Sequence, residues 1–191
     1  MRRSPTLLAA PFVAAAVVFV VVVAAAGPTF AQMPPQPTDE HRELAKEAGV
    51  WDAQIKVWMS PGAPPVESTG SETCEMLGKF WLISKFKGNM GGMPFQGRGQ
   101  TTYDTYAGEW VTTWIDSMAP LLMKCRGSWD ESTSTATYTG EGPDWITGET
   151  KQVKMALVFP DEDHKEWEMF ERAAADEPWR KVVAIDYTRR K

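Results

Sequence analysis

From Gly49 onward the chain alternates apolar and polar residues with a period of two. Trp51, Ala53, Ile55 and Val57 interleave with Asp52, Gln54, Lys56 and Trp58, the pattern of a half-buried strand. Similar segments recur to the C-terminus, separated by Gly, Pro and Asp signals. They are Val66–Leu77 (polar and rich in Thr and Ser), Lys79–Lys87, Phe95–Tyr103, Glu109–Asp116, Leu121–Trp129, Ser134–Gly140, Lys151–Phe159, His164–Arg172 and Trp179–Arg189. Gly88–Pro94 reads as a Gly-rich hairpin connection or rim loop, and Glu141–Glu149 as a further loop. Only Thr38–Ala48 reads as a helix, with acidic residues in its first turn and Gly49 to end it. Its apolar positions are few, so it is expected to lie on the surface or act as a lid. Short strands at regular spacing predict an all-β fold, and consecutive strands joined by short loops pair antiparallel. The expected architecture is an antiparallel meander barrel of about ten strands preceded by one short helix. A two-sheet sandwich is the alternative.

The N-terminal part of the chain departs from this pattern. Arg2 and Arg3 precede a nearly unbroken apolar run, Leu7–Ala26, and Thr29-Phe30-Ala31 supplies small residues before Gln32. Residues 1–31 therefore read as a secretory signal peptide, which implies an exported, periplasmic or secreted protein. The run is also long enough to span a bilayer, so a retained membrane anchor is the alternative. Gln32–Pro37 is a Pro-rich linker, and 38–191 is expected to form a single domain. Without residues 1–31 the chain has 18 basic against 25 acidic residues, a net charge of −7. That balance is wrong for nucleic acid, which requires a basic stripe. The nine Trp and ten Met of the chain suggest a large core or a lined cavity. Cys74 and Cys125 fall on the second and sixth predicted strands, which are not neighbours in a meander. Two separate buried thiols are expected, although an exported chain permits a disulfide.

Several short motifs resemble the bacterial family called domain of unknown function 1579. They are Tyr103-Asp104, Trp110-Val111, Trp114-Ile115-Asp116-Ser117-Met118, Leu77-Gly78, the Gly127-x-Trp129-Asp130 turn and the closing Tyr187-Thr188-Arg189. The resemblance runs from about Leu44 to the C-terminus. It implies a calycin-type barrel like those of lipocalins, fatty-acid-binding proteins and nitrobindins. A fold alone carries no function.

Parity places Trp110, Thr112, Trp114 and Asp116 on one side of the fifth strand. If that side faces inward, Trp110 and Trp114 wall a cavity. Asp116 then either orients a ligand at its mouth or bonds the backbone of the turn Ser117–Pro120. Met118 and Met123 flank Pro120 and are further lining candidates. On the last strand Val183, Ile185, Tyr187 and Arg189 share a side. Fatty-acid-binding proteins hold a carboxylate with Arg-x-Tyr there; this chain has the reverse order. Arg189 either binds an anionic head group or pairs within the barrel and stacks on Trp.

His41, on the exposed helix, and His164, in an acidic turn, have no metal-ligand spacing, and no haem or other cofactor is expected. No Gly-x-Ser-x-Gly elbow is present. Glu166, Glu168 and Glu171 read as a solvated strand edge. The preferred function is non-enzymatic binding of a small apolar or anionic amphipathic molecule, with Trp110, Trp114, Asp116, Met118, Met123, Tyr187 and Arg189 as candidate contacts. An enzyme using cavity carboxylates and a filled, structural or partner-binding barrel are the alternatives. Binding requires a continuous apolar cavity of at least about 300 Å³, and a filled interior would exclude both binding and catalysis. An enzyme requires converging titratable groups with shifted pKa values.

Overall fold

The computed structural model describes residues 35–143 and 149–191. The expected signal peptide, residues 32–34 of the Pro-rich linker and residues 144–148 of the expected Glu141–Glu149 loop lie outside the described residues. Gln36–Lys191 forms one compact unit.

One helix, α1 (Asp39–Ala45), precedes ten strands: β1 (Gly49–Val57), β2 (Val66–Leu77), β3 (Trp81–Met90), β4 (Met93–Asp104), β5 (Glu109–Asp116), β6 (Met123–Asp130), β7 (Thr135–Pro143), β8 (Thr150–Val158), β9 (His164–Arg172) and β10 (Arg180–Arg189). Each strand pairs antiparallel with its neighbour in sequence, and β10 pairs with β1, for example Ile185 opposite Ile55. The sheet is thus a closed meander barrel, not a two-sheet sandwich, and closure leaves no strand edge unpaired.

The alternation along β1 is realised in full. Trp51, Ala53, Ile55 and Val57 are buried, and Asp52 and Gln54 are exposed. Trp51, Ile55, Cys125, Val153 and Val183 are the largest fully buried side chains of a core that fills much of the barrel. β10 buries Val183, Ile185 and Tyr187 on the inner side. A register shift between Lys181 and Val183 lets Val182 be buried as well.

Three expectations need correction. Gly88–Pro94 does hold a hairpin connection, between β3 and β4, but most of the stretch is strand. Met90 pairs with Met93, so the loop is only Gly91-Gly92, at φ 59° and 87°. Two successive positive φ values match a tight hairpin turn that twists with its strands, and glycine adopts them without steric penalty. The helix is also shorter than expected, and His41 is not exposed: it is buried with Leu44. The His41 ring packs edge-on against Phe80 at 5.2 Å and Tyr103 at 6.2 Å between centroids, and its Nδ1 accepts the Thr38 N–H at 3.1 Å. A half-polar imidazole at the helix start therefore serves as both apolar contact and N-terminal partner.

The helix sits at the barrel end that also carries the β2–β3, β4–β5, β6–β7 and β8–β9 turns. The other end carries the β1–β2, β3–β4, β5–β6 and β9–β10 connections. Met59, Met118, Leu121 and Leu122 are exposed in these connections, and Met93 is exposed at the start of β4.

Candidate functional site

A cavity of about 160 Å³ runs inside the barrel from the rim toward the helix end. β5 builds one wall. Trp114 lies across β4 because Gly97 and Gly99 stand opposite it: a Cβ at Gly97 would come within 1.9 Å of the indole Cζ2. The indole stacks on Phe95 at 6.4 Å and 12°, and Phe95 meets Phe86 edge-on. Met155, Met169, Val183 and Ile185 complete the apolar surround, while Ala119 and Leu121 overhang the mouth from the β5–β6 connection. A short polar band crosses the apolar wall at Ser84, Thr101 and Thr112, with the two threonine hydroxyls 3.0 Å apart.

The floor is charged. β9 projects Lys165 inward, in the same parity as Trp167 and Met169, and the lysine is only 3% exposed. Its Nζ lies 2.8 Å from a Glu72 oxygen, from β2, and 3.5 Å from Glu47, at the α1–β1 junction. It also sits over the Trp51 and Tyr187 rings at 4.8 and 4.6 Å. Burial works against the ammonium, but the Glu72 and Glu47 carboxylates outweigh it and hold the Lys165 pKa above its ordinary value. Burial raises the Glu47 pKa, assisted by Glu72 and opposed by Lys165. The Cys74 thiol, 4.0 Å from Lys165 Nζ, is pushed up by burial and by Glu72. Tyr138 and Tyr187 also line the floor, and burial raises both phenols, with Glu47 contributing to each.

A second, open cleft of about 570 Å³ lies at the helix end, against Trp110, Trp129, Phe159 and the acidic turn Asp161–Asp163. It shares Glu47 and Tyr138 with the barrel cavity. Much of its charge is already engaged. Lys46 pairs with Glu43 at 2.7 Å, and His164 with Asp161 at 2.8 Å.

Of the residues singled out from the sequence, Trp114, Asp116, Met123 and Tyr187 line the barrel cavity. Trp110 faces the helix-end cleft, and Met118 is on the rim, 36% exposed. Asp116 binds its own turn: Oδ1 accepts the N–H groups of Met118 and Ala119 at 2.8 and 3.2 Å, and Oδ2 accepts Trp114 Nε1 at 3.1 Å. Arg189 stacks on Trp51 at 4.1 Å. Its guanidinium donates to the Lys46 and Ala48 carbonyls at 2.8 Å each and to that of Glu162 at 2.9 Å. It therefore secures the chain leaving the helix, where carbonyls lack intrahelical partners. Glu171 corrects the reading of β9 as a solvated edge: it shares the inward parity of Lys165, is 6% exposed and pairs with Arg180 at 3.4 Å.

The family model described as protein of unknown function (DUF1579) matches residues 36–189. The chain belongs to that family. Its structure is similar to that of Rv2717c from M. tuberculosis, with a TM-score of 0.62 and 14% identity, covering 82% of this chain and 100% of that one. At this identity the likeness to Rv2717c concerns the fold alone. A de novo designed fluorescence-activating β-barrel matches with a TM-score of 0.43 and 14% identity over 76% of this chain and 95% of its own. No curated protein matches. This DUF1579 member thus pairs a closed barrel with a small aromatic- and methionine-walled cavity and a charged floor that the family description does not interpret.

Proposed function

We propose that the protein binds a small, mostly apolar molecule inside the barrel and does no chemistry on it. The observation that carries this reading is the cavity itself: about 160 Å³, walled by Phe86, Phe95, Trp114, Met155 and Met169. That is smaller than the roughly 300 Å³ expected of a binding cavity from the sequence, so a drug-sized ligand does not fit. It matches an apolar cavity of about 150 Å³, which accepts a benzene-sized molecule. The ligand is accordingly one ring or a short branched chain, not a long fatty acid.

The charged floor bears on the enzymatic alternative. Titratable groups converge there, but Lys165 and Cys74 are both held toward their protonated forms, which are not nucleophilic. Glu47 alone is moved toward the range of a general acid or base at neutral pH. One shifted carboxylate supports catalysis less well than the apolar walls support binding.

Native mass spectrometry of protein from its own host, beside a Met155→Trp variant that fills the cavity, tests the reading. A small molecule retained by the wild type and absent from the folded variant supports it. Equal retention by both, or no uptake of one-ring compounds by the wild type from a metabolite extract, rejects it.

A further inference from the structure

Every charged group at the cavity floor is matched by another. Lys165 faces Glu72 and Glu47, and its ammonium is covered by Trp51 and Tyr187. Two hydroxyls are not matched. Tyr138 and Tyr187 are 7% and 6% exposed, and neither Oη forms a hydrogen bond with any described residue. Among the described residues no fully enclosed side-chain nitrogen or oxygen lacks a partner, so each Oη keeps some exposed surface. Both rings line the cavity, and both phenols lie within the field of Glu47. A buried polar group without a partner costs free energy, so it favours a guest that supplies one.

The charge balance restricts that guest further. Two carboxylates surround one ammonium, with no other lysine or arginine among the cavity-lining residues. An anionic head would meet Glu47 and Glu72 at close range in a site poor in water, where unpaired charge is most costly. Arg189, the one residue that suggested an anionic head from sequence, directs its donors at the backbone outside the barrel cavity. An ammonium head would compete with Lys165, which already holds both carboxylates.

We propose that the cavity floor selects a neutral ligand carrying a hydroxyl or carbonyl oxygen, which accepts a hydrogen bond from Tyr138 or Tyr187. A hydroxyl on the ligand can in addition donate to Glu47. The proposal rests on the binding reading above and adds the class of ligand: a small apolar body with one neutral oxygen.

Toluene, phenol and benzoate separate the two claims, because toluene and phenol have the same number of non-hydrogen atoms. Affinities are measured by Trp fluorescence and calorimetry at neutral pH, for the wild type and for Tyr187→Phe and Tyr138→Phe. These variants keep the rings, including the one over Lys165, and their folding is checked by circular dichroism. Wild type is expected to bind toluene and phenol and to exclude benzoate. At least one Phe variant should weaken phenol by roughly three- to tenfold, the value of one hydrogen bond, and leave toluene unchanged. If toluene binds but phenol is unaffected by both substitutions, or benzoate binds as well as phenol, the oxygen-reading floor is overturned and the binding reading stands. If neither toluene nor phenol binds, both are overturned.

Discussion

Glu47 is the residue whose environment most plainly opposes its charge. Its carboxylate is near Lys165, yet at 3.5 Å the pair is looser than the Glu72 contact at 2.8 Å, and burial prevails. A carboxyl whose folded pKa is above its unfolded value binds its proton more tightly when folded. It therefore costs no stability at acid pH and an increasing amount as the pH rises through the folded pKa. Lys165 behaves differently: its raised pKa contributes stability below the ordinary lysine range and loses it only at strongly alkaline pH. In the pH window that opens above 4.5, the ordinary glutamate value, comparison with Glu47→Gln reads this effect. The Tm of Glu47→Gln relative to wild type should rise across that window. A difference independent of pH would show that Glu47 titrates as an ordinary surface carboxyl. The same residue shows what sequence periodicity misses. Glu47, Glu72 and Lys165 come from three distant segments, and each sits in a polar stretch. Only register brings them together: the inward parity of Lys165 with Trp167 and Met169 was a signal, but its partners across the barrel had none.

At the scale of elements, β4 and β5 form a unit in which glycine on one strand makes space for an indole on the next. Gly97 pairs with Asp116 and Gly99 with Trp114, and the indole occupies the volume both side chains would have taken. Adding one methyl at Gly97 must move Trp114, because the clash is with ring atoms at 1.9 to 2.7 Å and the ring is also held by Phe95 and Asp116. Overpacking of this kind costs about 1–3 kcal/mol. Gly97→Ala should lower stability in urea denaturation by that amount and shift Trp emission to the red as the indole is displaced toward the mouth. An unchanged spectrum and midpoint would mean that Trp114 has another place to go. The strands themselves were legible, with β5 and β9 matching their expected limits, because alternation is a local signal. The function of the G-x-G in β4 was not, since the reason for each glycine lies on the neighbouring strand. The helix was legible as a helix but not in its burial. Seven residues are too few to stand alone, and what holds them is His41 against Phe80 and Tyr103 with Arg189 on the carbonyls beyond, contacts made by residues far away in sequence.

The closed meander decides what can meet across the whole molecule. β2 lies between β1 and β3, and β6 between β5 and β7, so Cys74 stands opposite Gly49 and Ser84, and Cys125 opposite Thr112 and Gly140. No ladder joins the two cysteines. Both are free and buried, as the order of the strands predicted. A bond between them would have to cross the barrel through the core. Their chemistry reinforces the separation. Burial raises the Cys125 thiol to about 11 and the Cys74 thiol further, so few thiolates are present at neutral pH to attack an oxidant. The folded protein incubated with oxidised glutathione should retain two free thiols by mass spectrometry, and labelling by an aromatic disulfide should wait on unfolding for both. The sites should nevertheless differ toward a small uncharged reagent. Cys74 lines the cavity and Cys125 does not. A methyl-transferring thiosulfonate should therefore reach Cys74 through the cavity in the native state, and toluene should slow its reaction there without slowing that of Cys125. No protection of Cys74 by a guest shown to bind would contradict the continuity of the cavity from rim to floor.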